Sequence, residues 1–256
     1  MTPAKAPANE PIDAVYTWDG TGDLRYSLRS FGRYAPWIRK VYVVTGGEAP
    51  GWLTRTRPRL SLVKLEEPVR DRGAAPDAVA WQLFRIPGIS RQFLWLDANL
   101  FLGQPLAASD FLTPKGGYRF FVEAADIPPG SAAESLLNSR FGNRSPRKQV
   151  ARTPRFVDRN LLEEVNRLWE KPIKQGAVSL ETLYFYFLVE NRLQYGVHEK
   201  AEITPDIYRS APLSDGKQVR GMLFGGPKFF SLDGPSSFGT RMLLWVRYWR
   251  KSVFEK

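Results

Sequence analysis

The chain has 256 residues and 43% of them are hydrophobic, enough for one large α/β domain or a domain with an appended helical lobe. It has no cysteine and a single histidine, which excludes disulfides, thiolate zinc sites and any site that needs two imidazoles. The 37 basic and 26 acidic residues give a net charge of +11, which favours anionic partners. No nucleic-acid-binding motif is present, so we expect no nucleic-acid partner.

The two ends of the chain differ in character. Residues 1–11 are rich in Pro and Ala and lack an apolar run, which predicts a flexible leader rather than a signal peptide. No segment approaches the roughly 20 apolar residues of a membrane span, and we predict a cytoplasmic protein. Residues 12–256 are predicted to form a single α/β domain, with a nucleotide-binding core at 12–125 and a helical lobe with returning strands at 126–256.

The first half of the chain alternates strands with helices. Apolar and β-branched runs predict strands at residues 12–18, 40–45, 60–65 and 93–102. A helix is predicted from Leu24, and residues 74–85 are compatible with another. This order predicts an α/β fold built on a mostly parallel sheet with helices on both faces.

The second half is predicted to be more helical. Residues 117–124 indicate a strand, and the basic segment 143–152 is predicted to be a mobile lid beside the cleft, because it lacks apolar anchors. Asp158 and Ser179 are placed to cap two helices. Residues 219–233 indicate one or two strands, and residues 238–254 a basic amphipathic helix that completes a C-terminal helical part.

The strongest candidate site lies at the end of the fourth predicted strand. Asp97 and Asn99 are the only polar residues in the apolar run 93–102, and burying them costs free energy unless they bind something polar. Nucleotide-sugar enzymes hold a divalent metal and a diphosphate with a similar Asp-x-Asp element. A strand that ends in a simple capped turn is the alternative.

A second candidate site follows the first predicted strand. The turn Asp19-Gly20-Thr21-Gly22-Asp23 leads into a helix N-terminus, which favours an anion. Arg25 and Arg29 are spaced to lie on one face of that helix and could bind a diphosphate. A solvated charged face is the alternative.

The predicted C-terminal helix carries Met242, Trp245 and Trp249 on one side and basic residues around it. Such a helix can lie on an anionic membrane surface, which would be a peripheral membrane contact. It can also dock its apolar side on the sheet and expose its charges. We favour docking on the sheet.

Long motifs in this chain closely resemble the second conserved region of the Stealth family. That family contains bacterial capsular polysaccharide phosphotransferases and the N-acetylglucosamine-1-phosphotransferase that marks lysosomal enzymes. The similar segments are residues 22–30, 34–46, 50–53, 84–90, 93–97 and 102–106. Residues 13–18 resemble the family's first region, and weaker similarity covers residues 153–159 and 228–233.

Membership implies a Rossmann-like nucleotide-sugar transferase fold and a divalent metal, Mg²⁺ or Mn²⁺. It also implies transfer of a hexose 1-phosphate from a UDP-sugar to a hydroxyl of an acceptor glycan, in capsular or cell-surface polysaccharide synthesis. With the motifs above, it assigns Asp97, Asn99 and Arg152 to catalysis and Asp97 and Asp233 to the metal. The donor-binding residues are then Asp13, Thr17, Trp18, Asp19, Gly20, Arg25, Arg29 and Arg85.

The chain departs from the family pattern at several of these positions. Asp97-Ala98-Asn99 replaces the usual Asn-Asp-Asp, Arg152-Thr153-Pro154 replaces His-x-Pro, and Asp233-Gly234 replaces Asn-Asp. The family's Asn-Ala-Ile-Glu stretch reads Asp77-Ala78-Val79-Ala80. An arginine cannot shuttle a proton near neutral pH, and lost carboxylates weaken a hard-cation site.

Three hypotheses follow from these departures. The first is an active sugar-phosphate transferase with a rearranged site. The second is an inactive relative that binds a nucleotide sugar or an anionic glycan. The third is a metal-dependent glycosyltransferase.

Overall fold

The computed structural model of the chain describes residues 10–18, 20, 23–45, 50–53, 58–64, 80, 82–174, 178–191, 199–234 and 237–255. Nearly all of the predicted leader, and most of the helix-compatible segment at 74–85, lie outside these residues.

The strands are, in chain order, β1 (Asp13–Trp18), β2 (Val41–Thr45), β3 (Leu60–Lys64), β4 (Gln92–Asp97), β5 (Leu100–Leu102), β6 (Arg119–Asp126), β7 (Lys148–Val150), β8 (Arg155–Asp158), β9 (Glu199–Glu202), β10 (Tyr208–Pro212) and β11 (Phe229–Asp233). The α-helices are α1 (Leu24–Tyr34), α2 (Ala132–Phe141), α3 (Arg159–Lys174), α4 (Leu180–Glu190), α5 (Gly216–Gly225) and α6 (Phe238–Arg247). Short 3₁₀ helices occupy Leu83–Arg85 and Ala108–Asp110.

The main sheet has five strands in the order β3-β2-β1-β4-β8. The first four are parallel, and β8 pairs antiparallel with β4. Every residue of β1, β2 and β4 is buried, as their near-continuous apolar sequences require in a parallel sheet. The predicted α/β fold with a parallel sheet and helices is confirmed.

The strand order places a topological switch point between β1 and β4. From β1 the chain moves outward through β2 to β3, and it then returns to pair β4 on the other side of β1. Ligands of open α/β sheets bind outside the carboxyl ends of the strands at such a point. The ends of β1 and β4 are therefore where a site is expected.

The strand predicted at residues 93–102 is in fact two strands. β4 ends at Asp97, a turn occupies Ala98 and Asn99, and β5 joins a different sheet in the order β10-β11-β5. The chain can leave the main sheet because β5 finds a new antiparallel partner in β11. A third sheet has the order β7-β6-β9.

Two other predictions of local structure are wrong in part. The strand predicted within 219–233 is confirmed at Phe229–Asp233, which forms β11. Residues 216–225 form helix α5 instead of a strand, because Asp215 caps the amides of Lys217 and Gln218 and the buried residues recur at helical spacing. Part of the segment 143–152 does have anchors: residues 148–150 form β7, and the buried Arg147 donates a hydrogen bond to Asn138. The end of the segment at Arg152 lies beside Asp97, as expected for a segment that borders the cleft.

The predicted helix caps are confirmed. The Asp158 carboxylate accepts hydrogen bonds from the amides at the start of α3, and the Ser179 hydroxyl accepts one from the amide of Thr182 in α4. The C-terminal helix ends at Arg247, earlier than predicted. Its Met242 and Trp245 are exposed, so the expectation that its apolar side docks on the sheet is wrong.

A buried ion pair ties α1 to the C-terminal segment. Arg29 donates two hydrogen bonds to Glu255, from Nε at 2.5 Å and Nη2 at 2.6 Å, and Arg25 Nε donates a third at 2.7 Å. Burial alone would raise the pKa of Glu255. The hydrogen bonds from Arg29, from the Ser252 amide and from Arg25 outweigh this effect and lower the pKa to about 2.

Glu255→Gln should lower the free energy of unfolding by about 3 kcal/mol at pH 7, because it leaves Arg29 buried without its counter-charge. Because the pKa of Glu255 is lower in the folded chain, its carboxylate stabilises the fold fully at pH values above its ordinary pKa of 4.5. This stabilisation is lost as the pH falls from 4.5 to about 2. The difference in free energy of unfolding between wild type and Glu255→Gln should therefore shrink over this pH range. Urea unfolding at a series of pH values measures it. Glu199→Gln, which breaks the exposed pair with Arg119, should cost less than about 1 kcal/mol. Equal effects of the two variants would contradict the prediction.

Candidate functional site

The carboxyl ends of β1 and β4 bring Thr17 and Asp97 together. The two residues are register partners, and the Thr17 hydroxyl donates a hydrogen bond to Asp97 Oδ1 at 3.2 Å. The indole N–H of Trp95 donates to the Thr17 hydroxyl at 3.3 Å. The ends of the first and fourth predicted strands, which carry the two candidate sites, therefore lie side by side.

Asp97 belongs to a buried ionic network with Arg155 and Glu181. Arg155 Nη2 lies 3.4 Å from Asp97 Oδ2 and 2.7 Å from Glu181 Oε1. The guanidinium carbon of Arg155 lies 4.7 Å from the centroid of the Trp95 ring, a cation–π contact. Asp97 is only 6% exposed, so its charge depends on these partners. The network joins β4, β8 and α4.

Arg152 supplies a second cation at the same carboxylate, this time at the surface. Its Nε lies 3.9 Å from Asp97 Oδ2, and its side chain is 49% exposed. Asp97 and Glu181 therefore face two guanidinium groups, of which that of Arg152 is open to solvent. An anion that approaches the switch point would meet Arg152 first.

Asn99 and Asp233 form a second polar pair next to this network. Asn99 Nδ2 donates to Asp233 Oδ1 at 2.7 Å, and the amide of Leu232 donates to the Asn99 carbonyl at 3.2 Å. Asp233 ends β11 and is exposed. The pairing of β5 with β11 thus brings residue 233 back to the turn that follows Asp97.

The charges of both groups reach the Tyr208 side chain. Its hydroxyl lies 2.8 Å from the Ser231 hydroxyl. Burial raises the pKa of Tyr208, the hydrogen bond with Ser231 and the charge of Arg152 lower it, and the charges of Asp233 and Glu123 raise it. Arg152 and Asp233 therefore act on the same small region.

The fit of a divalent cation to these residues is limited. Among the described residues, no group of three or more His, Cys, Asp or Glu could hold a metal ion. Asp97 Oδ1 accepts a hydrogen bond from Thr17, and Oδ2 faces Arg155 and Arg152. At the surface the hard oxygen donor is the Asp233 carboxylate. The neighbouring Asn99 turns its amide nitrogen towards Asp233 Oδ1, so its amide oxygen could act as a ligand only after the side chain turns.

Several predicted donor-binding residues lie away from this cluster. Asp13 is at the opposite, amino end of β1, where it accepts hydrogen bonds from Arg39 and from the Ser90 amide. Arg25 and Arg29 bind Glu255. The structure thus gives these three residues structural partners at a distance from Asp97.

The remaining predicted residues vary in their placement. Trp18 is buried at the end of β1, and Gly20 has a φ of 93°, which favours glycine. Arg85 is exposed on a 3₁₀ helix, with its guanidinium carbon 5.3 Å from the Phe84 ring. Asp19 lies outside the described residues.

Sequence reasoning missed Arg155, Glu181 and Tyr208. Arg155 opens the fully buried strand β8, and an arginine in an apolar strand is the same kind of signal that singled out Asp97. Glu181 in the first turn of α4 and Tyr208 in a half-exposed strand carry no comparable signal.

The fold is similar to that of a known enzyme. The glycosyltransferase GlyE of Streptococcus pneumoniae TIGR4, in its apo form, superposes with a TM-score of 0.50 at 12% sequence identity. The match covers 95% of this chain and 61% of that protein. At this identity the likeness shows a Rossmann-like transferase fold and nothing more about chemistry.

The sequence matches a protein family and several curated relatives. Residues 17–120 match the family model described as Stealth protein CR2, conserved region 2. The exopolysaccharide phosphotransferase CpsY is 42% identical in Mycobacterium leprae, over 71% of this chain and 38% of that protein. CpsY of Mycobacterium tuberculosis strain H37Rv is 34% identical, over 61% of this chain and 32% of that protein.

An exopolysaccharide phosphotransferase of Streptomyces coelicolor is 32% identical, over 61% of this chain and 34% of that protein. The chain thus matches only about a third of the length of these relatives. The family match starts at Thr17 and runs through Asp97 and Asn99, so it contains the carboxyl ends of both central strands. On these matches, the chain belongs to the Stealth family.

Proposed function

We propose that this chain transfers a hexose 1-phosphate from a UDP-sugar to a hydroxyl of an acceptor glycan, in capsular or cell-surface polysaccharide synthesis. The observation that carries the proposal is the pair of arginines, Arg152 and Arg155, that converges on Asp97 at the switch point of the sheet. The names of the relatives, exopolysaccharide phosphotransferases, support the same reaction class.

The donor would lie across the carboxyl ends of β1 and β4. Its diphosphate would meet the exposed guanidinium of Arg152, whose planar fork suits phosphate oxygens. Gly20, which follows the end of β1, would approach the donor from the β1 side. Asp97 and Arg155 would not touch the donor. The buried Asp97 carboxylate would orient the guanidinium groups of Arg152 and Arg155.

The reaction would be a displacement at phosphorus. The acceptor hydroxyl oxygen forms a bond to the phosphorus that carries the sugar, the bond to the bridging diphosphate oxygen breaks, and UMP leaves. Phosphoryl transfer depends mainly on positioning and on stabilising the negative charge, so the hydroxyl proton can leave to water. Arg152 cannot accept that proton and would contribute positive charge to the transferring group.

A divalent ion, Mg²⁺ or Mn²⁺, would be held by Asp233 and the amide oxygen of Asn99 together with the donor phosphates. Mg²⁺ is commonly bound by one or two carboxylates plus substrate phosphates, which suits a site with few acidic residues. The ion would neutralise charge on the diphosphate. Asp97 contributes to this site through its negative field, since its own oxygens face Thr17 and the arginines.

Two other functions are supported by specific observations. Arg152 occupies the position of the family's histidine and lies 3.9 Å from the Asp97 carboxylate, which favours an inactive relative that binds a nucleotide sugar or an anionic glycan. The likeness to the GlyE fold favours a metal-dependent glycosyltransferase. The nucleotide product separates all three functions.

Incubation of the chain with UDP-sugars, Mn²⁺ and glycan acceptors should release UMP, identified by chromatography. Asp97→Asn should lower this rate by about 100-fold, because the carboxylate that orients both arginines loses its charge. Asp126→Asn, which changes an exposed aspartate paired with Lys148, should leave the rate unchanged. Release of UDP would establish a glycosyltransferase instead, and nucleotide binding with no product would establish a binding-only relative.

Arg152→Ala should weaken UDP-sugar binding by about 10-fold, the effect expected when one charge-assisted hydrogen bond to phosphate is lost. Arg152→Lys should recover part of the affinity, because it restores the charge without the fork. The exposed Arg144, which pairs with Glu190, provides the matched control Arg144→Ala. Calorimetry that finds equal losses for Arg152→Ala and Arg144→Ala would remove Arg152 from the donor site.

Asp233→Asn should abolish the stimulation by Mn²⁺ and raise the Mn²⁺ dissociation constant at least 10-fold in the presence of UDP-sugar. Arg152→Ala should leave that constant nearly unchanged, because Arg152 is not a ligand. Electron paramagnetic resonance of Mn²⁺ measures both. An unaltered Mn²⁺ dissociation constant in Asp233→Asn would show that the ion, where bound, is held by other groups.

A further inference from the structure

The C-terminal part of the chain exposes an apolar stripe on one face of α6 and its extension. The stripe consists of Phe238, Met242, Trp245 and Trp249, each more than half exposed. The spacing of Phe238, Met242 and Trp245 places them on one side of α6, and Trp249 follows two residues after the helix ends. All the other large hydrophobic residues exposed in the described ranges, apart from Leu168, lie nearby on α5, on α6 or after it. A contiguous exposed patch of this kind marks an interaction surface.

Thr240, Leu244 and Tyr248 are the residues that attach this segment to the rest of the fold. The Thr240 hydroxyl donates to the Leu213 carbonyl at 2.6 Å, and the Tyr248 hydroxyl donates to the Leu102 carbonyl at 3.0 Å. All three are buried. The stripe is therefore the outer face of an anchored helix.

A cationic cavity of about 510 Å³ adjoins the stripe. Its basic lining residues are Arg29, Arg33, Arg59, Arg247, Arg250 and Lys251. Among these, Arg29 forms an ion pair with the carboxylate of Glu255. Trp249 and Val253 line the same cavity and are also exposed, so the apolar surface and the cationic surface meet at these two residues.

We propose that the apolar stripe and the cationic cavity bind the surface of an anionic phospholipid bilayer. The stripe side chains enter the interfacial region, where tryptophan is favoured, and lipid phosphates occupy the cavity. We choose a bilayer as the partner because it presents apolar chains next to negative phosphates. These complement the apolar and cationic surfaces that meet at Trp249. None of the described helices is long and apolar enough to span a membrane, so this contact lies in the plane of the interface.

Along the chain, the stripe starts close to the candidate site. α6 begins five residues after Asp233, and at its other end Arg247 Nη2 donates to the Tyr34 hydroxyl at 2.6 Å, at the end of α1. The stripe therefore runs along one flank of the fold, from the carboxyl edge of the sheet towards the opposite edge. The proposal does not depend on the transferase activity proposed above.

Co-sedimentation of the 256-residue chain with vesicles tests the proposal. Binding to phosphatidylcholine vesicles that contain about one third phosphatidylglycerol should be at least 10-fold tighter than binding to pure phosphatidylcholine vesicles. Trp245→Ser/Trp249→Ser should weaken the binding at least 10-fold, while Leu168→Ser, which removes an exposed hydrophobic side chain elsewhere, should not. Circular dichroism checks that each variant is folded.

The contribution of the cavity's positive charges to vesicle binding is tested with a separate pair of double variants. Arg250→Glu/Lys251→Glu should weaken vesicle binding at least 10-fold, while Lys115→Glu/Lys200→Glu, with the same change in net charge at exposed sites outside the cavity, should weaken it less than 3-fold. Equal effects would show that net charge alone attracts the vesicles and would overturn the proposal. So would vesicle binding that survives the loss of both tryptophans.

Two other occupants of the surface give distinct results. A second copy of the chain would appear as a dimer in light scattering that Trp245→Ser/Trp249→Ser converts to monomer. If the partner is a soluble polyanionic glycan, the chain should bind dextran-sulfate resin through Arg250 and Lys251 and should not bind vesicles. Either result would overturn the lipid proposal.

Discussion

The parallel pairing of β1 with β4 fixes Thr17 opposite Asp97, and the candidate site is built around that register. A shift of one residue would turn the side chains of either strand to the other face of the sheet. Both strands are buried throughout, so the core enforces the register strongly. The hydrogen bond from Thr17 to Asp97 then follows from the fold without any further requirement.

The two arginines at Asp97 differ in exposure, and this divides their roles. Arg155 is buried between two carboxylates, so it serves to hold the Asp97 side chain in place. Arg152 is half exposed and shares the same carboxylate at a longer distance, so it can turn towards a ligand at little cost. A buried charge with several partners is costly to disturb, whereas an exposed one is available for binding.

A second ionic contact organises the C-terminal segment. Glu255 joins Arg25 and Arg29 of α1 to the last residues of the chain, and this contact holds the cationic cavity in shape. The structural role of these arginines explains why their helical spacing does not by itself identify a diphosphate site. Basic residues that a sequence places at a helix N-terminus can equally be used to anchor a distant segment.

The sequence by itself determined the features that depend on neighbouring residues: the buried strands β1, β2 and β4, the caps at Asp158 and Ser179, and Asp97 as a lone carboxylate in an apolar run. Only the tertiary structure decided which partners lie close in space although they are remote along the chain. It paired Asn99 with Asp233 and Arg29 with Glu255, split the strand at 93–102 between two sheets, and left the α6 stripe exposed. The physical reason is that periodicity and capping act over a few residues. The partner that satisfies a charge, or covers an apolar face, is set by how whole elements pack.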